Sequence, residues 1–78
     1  MGTAENYFGK HVKRLRAACG ISQEELAFQA EVHASYVSQL ERGRKSPSLG
    51  VILRISRALG TPAGELVGAV EKSMKSGH

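Results

Sequence analysis

Three observations predict an all-α domain of five short helices. Apolar residues recur at helical spacing along the chain. No segment alternates convincingly with period two. Start and stop signals cut the chain into five pieces: Ser22, Ser48 and Thr61-Pro62 open helices, while Gly20 and Gly60 close them.

The first helix is expected from Tyr7 to Cys19, with Asn6 as N-cap and Phe8, Val12 and Leu15 as its apolar stripe. Ser22-Gln-Glu-Glu25 is a capping box, serine followed three residues later by glutamate. It opens a second helix reaching Ala30, with Leu26, Ala27 and either Phe28 or Ala30 buried. A tight turn at Glu31-Val32-His33 leads to a third helix, Ala34 to Glu41, with Val37 and Leu40 inward. Arg42-Gly-Arg-Lys-Ser-Pro47 is a basic loop. Ser48 caps a fourth helix, Leu49 to Leu59, apolar on more than one face through Leu49, Ile52, Leu53, Ile55 and Leu59. Such a helix is expected at the centre of the core. The fifth helix follows Pro62 with the stripe Ala63, Leu66, Val67, Val70 and Met74, and its polar end beyond Ser73 is expected to fray. Residues 1–6 thus read as an N-terminal extension, 7–73 as the domain, and 74–78 as a flexible C-terminal tail.

At 78 residues there is room for one core only. Eleven Lys and Arg face seven acids, all glutamate, for a net charge of +4 and a pI near 9.6. The distribution is more telling than the total. Arg42, Arg44, Lys45, Arg54 and Arg57 fall in a stretch without an acid, as do Lys10, Lys13, Arg14 and Arg16. This favours a polyanionic partner. For Arg54 and Arg57, and for Lys10, Lys13 and Arg14, a solvated surface and general electrostatic attraction are both open. The single cysteine, Cys19, excludes an internal disulfide and reads as a small apolar residue near a helix end. No apolar run is long enough to span a bilayer, no secretory signal opens the chain, and a cytoplasmic protein is expected. His11, Cys19 and His33 lack the spacing of paired metal ligands, and His78 lies in the tail. No metal, cofactor or small-molecule ligand is expected. Without aspartates, and with Glu24 and Glu25 accounted for in a helix first turn, no catalytic set is evident.

Two short helices joined by a tight turn form the arrangement with which one helix braces on the DNA backbone while the next enters the major groove. The outer face of the second would carry Ala34, Ser35, Ser38 and Gln39. Gln39 is able to bond adenine bidentately, the serines donate or accept, and Ala34 suits a thymine methyl.

At these residues the chain resembles the phage-repressor-like (XRE-type) helix-turn-helix family. The matching stretches are Ile21-Ser-Gln-Glu-Glu-Leu-Ala27, Ser35-Tyr-Val-Ser-Gln-Leu-Glu-Arg-Gly43, Pro47-Ser-Leu49 and Ala58-Leu-Gly60, spread over most of the chain from Phe8 to Leu66. The resemblance implies a five-helix lambda-repressor-like DNA-binding domain, a dimer on a pseudo-palindromic site in double-stranded DNA, and transcriptional regulation. It places Ala34, Ser35 and Gln39 at base-facing positions and Gln23, Tyr36, Arg42, Arg44 and Lys45 at phosphate contacts. It also implies a structural salt bridge between Arg16 and Glu41. His33 departs from the Ser or Thr cap common in the family, leaving the recognition helix less firmly held. Ala34 replaces a commonly polar reader, which shifts weight to Ser35 and Gln39.

The stripe of the fifth helix is too long for one small core to cover, so Val67, Val70 and Met74 are expected to form a homodimer interface. Length and build resemble restriction–modification controller proteins, whose role would be autoregulation through their own promoter; phage or plasmid repressors and other small regulators are equally open. The competing reading is an antitoxin that represses its operon together with a bound toxin. The few residues after Ser73 argue against a long toxin-binding tail.

Overall fold

The computed structural model describes residues 2–76. Five helices follow one another: α1 (Ala4–Cys19), α2 (Gln23–Ala30), α3 (Ala34–Glu41), α4 (Leu49–Leu59) and α5 (Ala63–Ser76). The fold is all-α, and α2, the turn and α3 form the helix-turn-helix. Ser22 and Ser48 are N-caps, their Oγ atoms accepting from the amides of Glu25 and Val51 at 3.0 and 3.2 Å. Gly20 and Gly60 close α1 and α4 in the left-handed conformation, where a side chain would be strained.

The core is assembled from all five helices: Phe8 and Val12, Leu26 and Ala30, Val37 and Leu40, Ile55 and Leu59, Leu66 and Val70. α1 lies against both α3 and α5, and α2 is held between α3 and α4. Among the described residues α3 is therefore supported from behind by two helices, with its opposite face uncovered.

Four expectations need correction. α1 begins at Ala4, three residues before Tyr7, because Thr3 rather than Asn6 is the cap. Thr3 Oγ1 accepts from the Asn6 amide at 3.1 Å, so residues 4–6 are the first turn of the domain and not an extension. Of the two alternatives on α2, Ala30 is the buried one, with Leu26 and Ala27, while Phe28 is 81% exposed. α4 does not run through the centre. Ile55, Ser56 and Leu59 are buried, but Leu49 and Leu53 are 72% and 50% exposed. α5 stays helical to Ser76, beyond the expected fraying point, with Ser73 tied to α1 through a 3.0 Å contact between its Oγ and His11 Nε2. Residues 74–76 thus belong to α5, and Gly77 and His78 lie outside the described residues. Finally, Val70 is only 7% exposed and packs in the core, leaving Val67 and Met74 as the half-exposed part of the stripe.

Candidate nucleic-acid interface

The geometry of α3 follows from how its two ends are held. Helical spacing sends Val37, Leu40 and Glu41 inward, all three buried. It turns Ser35, Ser38 and Gln39 the other way. Ser35 is exposed, while Ser38 and Gln39 are partly so. Ala34, at the first position, is half-buried and packs against the core, as does Tyr36. Ser35 and Ser38 share a shallow groove with Ser22, Gln23 and Glu24, so the start of α2 and the outer face of α3 form one continuous surface.

At the C-terminal end a buried carboxylate fixes α3 to α1 and α2. Glu41, its side chain 3% exposed, accepts from Arg16 Nε at 2.6 Å on Oε2. On Oε1 it accepts from Arg16 Nη2 at 3.1 Å and from Gln23 Nε2 at 2.9 Å. Arg16 Nη1 donates to the Ile21 carbonyl at 2.9 Å, closing the network onto the α1–α2 turn. The hydrogen bond to Glu41 holds the Arg16 guanidinium above its ordinary pKa, outweighing the loss of solvent around it. A bidentate pair of this kind is both strong and directional. The family resemblance puts Gln23 at a DNA phosphate and in support of the base readers; in the structure its amide donates to Glu41.

The N-terminal end is held less well. His33 has the extended backbone of an N-cap but makes no side-chain capping bond. Replacing it with a residue whose oxygen reaches the free amides supplies the missing partner. His33→Ser is expected to raise stability by about 1 kcal/mol, seen as a higher urea midpoint with an unchanged slope. No increase would mean that solvent already satisfies these amides. The turn before it is also costly: Glu31 sits at φ 60°, a left-handed conformation uncommon for a side-chain-bearing residue.

Beyond α3 the chain folds back on the helix end. The amides of Gly43 and Arg44 donate to the carbonyls of Leu40 and Gln39 at 3.0 and 2.9 Å. Arg42 Nε reaches the Ser38 carbonyl at 3.3 Å. Arg42, Arg44 and Lys45 are all exposed, on a loop whose root is anchored and whose charges face solvent. Arg54, for which solvation and attraction were both open, has a structural partner. Its Nε donates to the Ala30 carbonyl at 2.9 Å, satisfying an orphan acceptor at the end of α2. Arg57 is exposed. Cys19 is exposed too, with its thiol 3.5 Å from the Leu59 carbonyl. Among the described residues no cluster of His, Cys or Glu is able to hold a metal ion, and no helix is long and apolar enough to cross a membrane.

A helix-turn-helix family model matches residues 12–66. The control protein C.BamHI of Bacillus amyloliquefaciens is 41% identical over 61 residues, 77% of this chain and 75% of that protein. The control protein C.MunI of a Mycoplasma species is 36% identical over 66 residues, covering 83% and 89%. Among solved structures, the restriction–modification controller protein C.AhdI of Aeromonas hydrophila superposes with a TM-score of 0.77 at 42% identity, over 80% of this chain and 94% of that one. With the bracing helix, the turn and a polar-faced second helix in place, the chain belongs to the helix-turn-helix family of DNA-binding transcriptional regulators and is not an enzyme.

Proposed function

We propose that the chain is a sequence-specific regulator that binds a pseudo-palindromic operator as a homodimer and acts on its own promoter, in the manner of a restriction–modification controller. The observation that carries this reading is the polar outer face of α3, rigidly backed by the Arg16–Glu41–Gln23 network and followed by an anchored basic loop. Ser35, Ser38 and Gln39 read bases, with Ala34 adding an apolar contact at most, since it is half-buried. Tyr36, Arg42, Arg44 and Lys45 hold phosphates. Gln23 has a second amide proton for a phosphate while the first stays on Glu41.

One domain of this size makes few base contacts. Two copies about 34 Å apart, one helical turn, double them. Val67 and Met74, 46% and 48% exposed, supply the apolar surface for pairing, with Val70 behind them in the core. An apolar recess of ≈ 180 Å³, lined in part by Phe8, Pro47, Ile52, Val67 and Val70, opens beside Val67. Sedimentation at tens of micromolar is expected to show a dimer; a monomer there would remove the dimer from this reading.

The test of function is a titration of duplex DNA from immediately upstream of the gene against a scrambled duplex, at two salt concentrations. Upstream binding tighter by about a thousandfold is expected. Equal, steeply salt-dependent binding to both would leave only phosphate attraction. In the same assay Gln39→Ala is expected to cost about 1–3 kcal/mol on the preferred site and to relax discrimination at one base pair. Arg44→Ala instead weakens all sequences alike and flattens the salt slope by about one. An unchanged base preference in the first variant would take Gln39 out of the reading set.

A further inference from the structure

The basic surface of α1 is not used by the recognition helix. Where α1 meets α5, a cleft of ≈ 250 Å³ is lined by Tyr7, Lys10, His11, Arg14 and Ser73. Arg14 Nη2 lies 3.0 Å from His11 Nδ1. A guanidinium only donates, so Nδ1 is the acceptor and the imidazole proton sits on Nε2. That proton is donated to Ser73 Oγ at 3.0 Å, which leaves the serine's own proton for a further acceptor. Lys10 Nζ stands 5.9 Å from the centroid of the Tyr7 ring. Lys10, Arg14 and Ser73 therefore all offer donors, and no glutamate lines the cleft among the described residues. Burial, and then the neighbouring Arg14, hold His11 below its ordinary pKa, against the Ala69 carbonyl, which favours the charged imidazole.

Position separates this cleft from the DNA surface. Gly9 and Arg16 point to α3, whereas His11 points to α5. At 3.6 residues per turn, those directions differ by roughly 140–160° around α1. A duplex seated on α3 is thus not the ligand this cleft faces.

We propose that the cleft binds a small phosphate dianion, either inorganic phosphate or a phosphomonoester, through Lys10, Arg14 and the Ser73 hydroxyl. A tetrahedral dianion accepts from all three groups and bridges α1 to α5. The site uses none of the base-reading residues of α3.

The test is a titration of inorganic phosphate into the full chain above neutral pH, at constant ionic strength, with chloride as reference. The His11 imidazole resonances and the thermal midpoint are followed together. Phosphate is expected to give a saturating shift at His11 and a rise in midpoint that chloride does not. Binding weakens about tenfold in Arg14→Gln and is unchanged in Arg57→Gln. A linear response equal to that of chloride would overturn the proposal. So would saturation that survives the Lys10→Gln, Arg14→Gln double variant, or a His11 response to non-specific duplex DNA but not to phosphate. Because Arg14→Gln perturbs the His11 signal directly, the phosphate-dependent midpoint decides that comparison.

Discussion

Arg16→Met is expected to destabilise the domain by about 3–5 kcal/mol, the cost of leaving a buried charge without its partner. Glu41 would retain only Gln23 as a side-chain donor, in a site where 3% of its side chain meets solvent. A domain of this class has about 5–15 kcal/mol in total, and a small one falls near the lower end. Equilibrium unfolding in urea should therefore show a substantial unfolded fraction before denaturant is added. Glu41→Gln is expected to cost less, because Arg16 is 16% exposed and able to draw on solvent. Replacing both partners with apolar residues should recover much of the loss, since the pair costs desolvation that apolar packing avoids. A loss below about 1 kcal/mol in Arg16→Met would mean that the pair behaves as an exposed surface bridge. Operator binding would fall with the folded fraction and then further, because α3 loses its tether to α1 and keeps only the Gln23 bond to α2.

Gly9→Ala tests the other contact between α1 and α3. A Cβ at Gly9 would clash with the Leu40 carbonyl oxygen and stand 2.7 and 2.9 Å from the carbonyl oxygen and carbon of Glu41. These are backbone atoms in the last turn of the recognition helix and cannot swing aside as a side chain would. Alanine gains about 1 kcal/mol in helix propensity, but overpacking against a fixed backbone costs about 1–3 kcal/mol or more. A net destabilisation of about 2 kcal/mol is expected, with α3 displaced and specific DNA affinity reduced beyond the loss of folded protein. Gly68→Ala is the control: a Cβ there meets nothing within 4 Å, so the propensity term stands alone. Stability there should rise by about 0.5–1 kcal/mol. An increase of similar size at Gly9 would show that α1 moves away from α3 at no cost.

How far each feature was legible depended on how locally it is determined. Ser22 and Ser48 cap their helices through bonds three residues along the chain, and Gly20 and Gly60 close theirs within one turn. Those boundaries, α3 from Ala34 to Glu41, and the outward face of Ser35 and Gln39 follow from spacing alone. The start of α1 was missed because Thr3 and Asn6 both suit a cap and stand three residues apart. Gly9 carried no local signal, since a glycine within a helix only lowers its propensity. It acquires a role when the backbone of α3 arrives.

The sequence by itself determined the class of the fold, its five helices, the helix-turn-helix and its family, and the polar outer face of α3, because caps, periodicity and motif spacing act over a few residues. Only the tertiary structure decided which apolar residues stay outside. Phe28, Leu49 and Leu53 satisfy a helical stripe as well as Leu26 or Ile55 do, but among the described residues they stay exposed while Leu26 and Ile55 are fully buried. It also decided that Glu41 is buried, that Gln23 and Arg54 turn to protein partners, and that Val70 belongs to the core while Val67 and Met74 do not. Such outcomes depend on what meets a side chain from another helix. Burial and hydrogen-bond pairing are properties of that meeting, and periodicity along one helix contains only half of it.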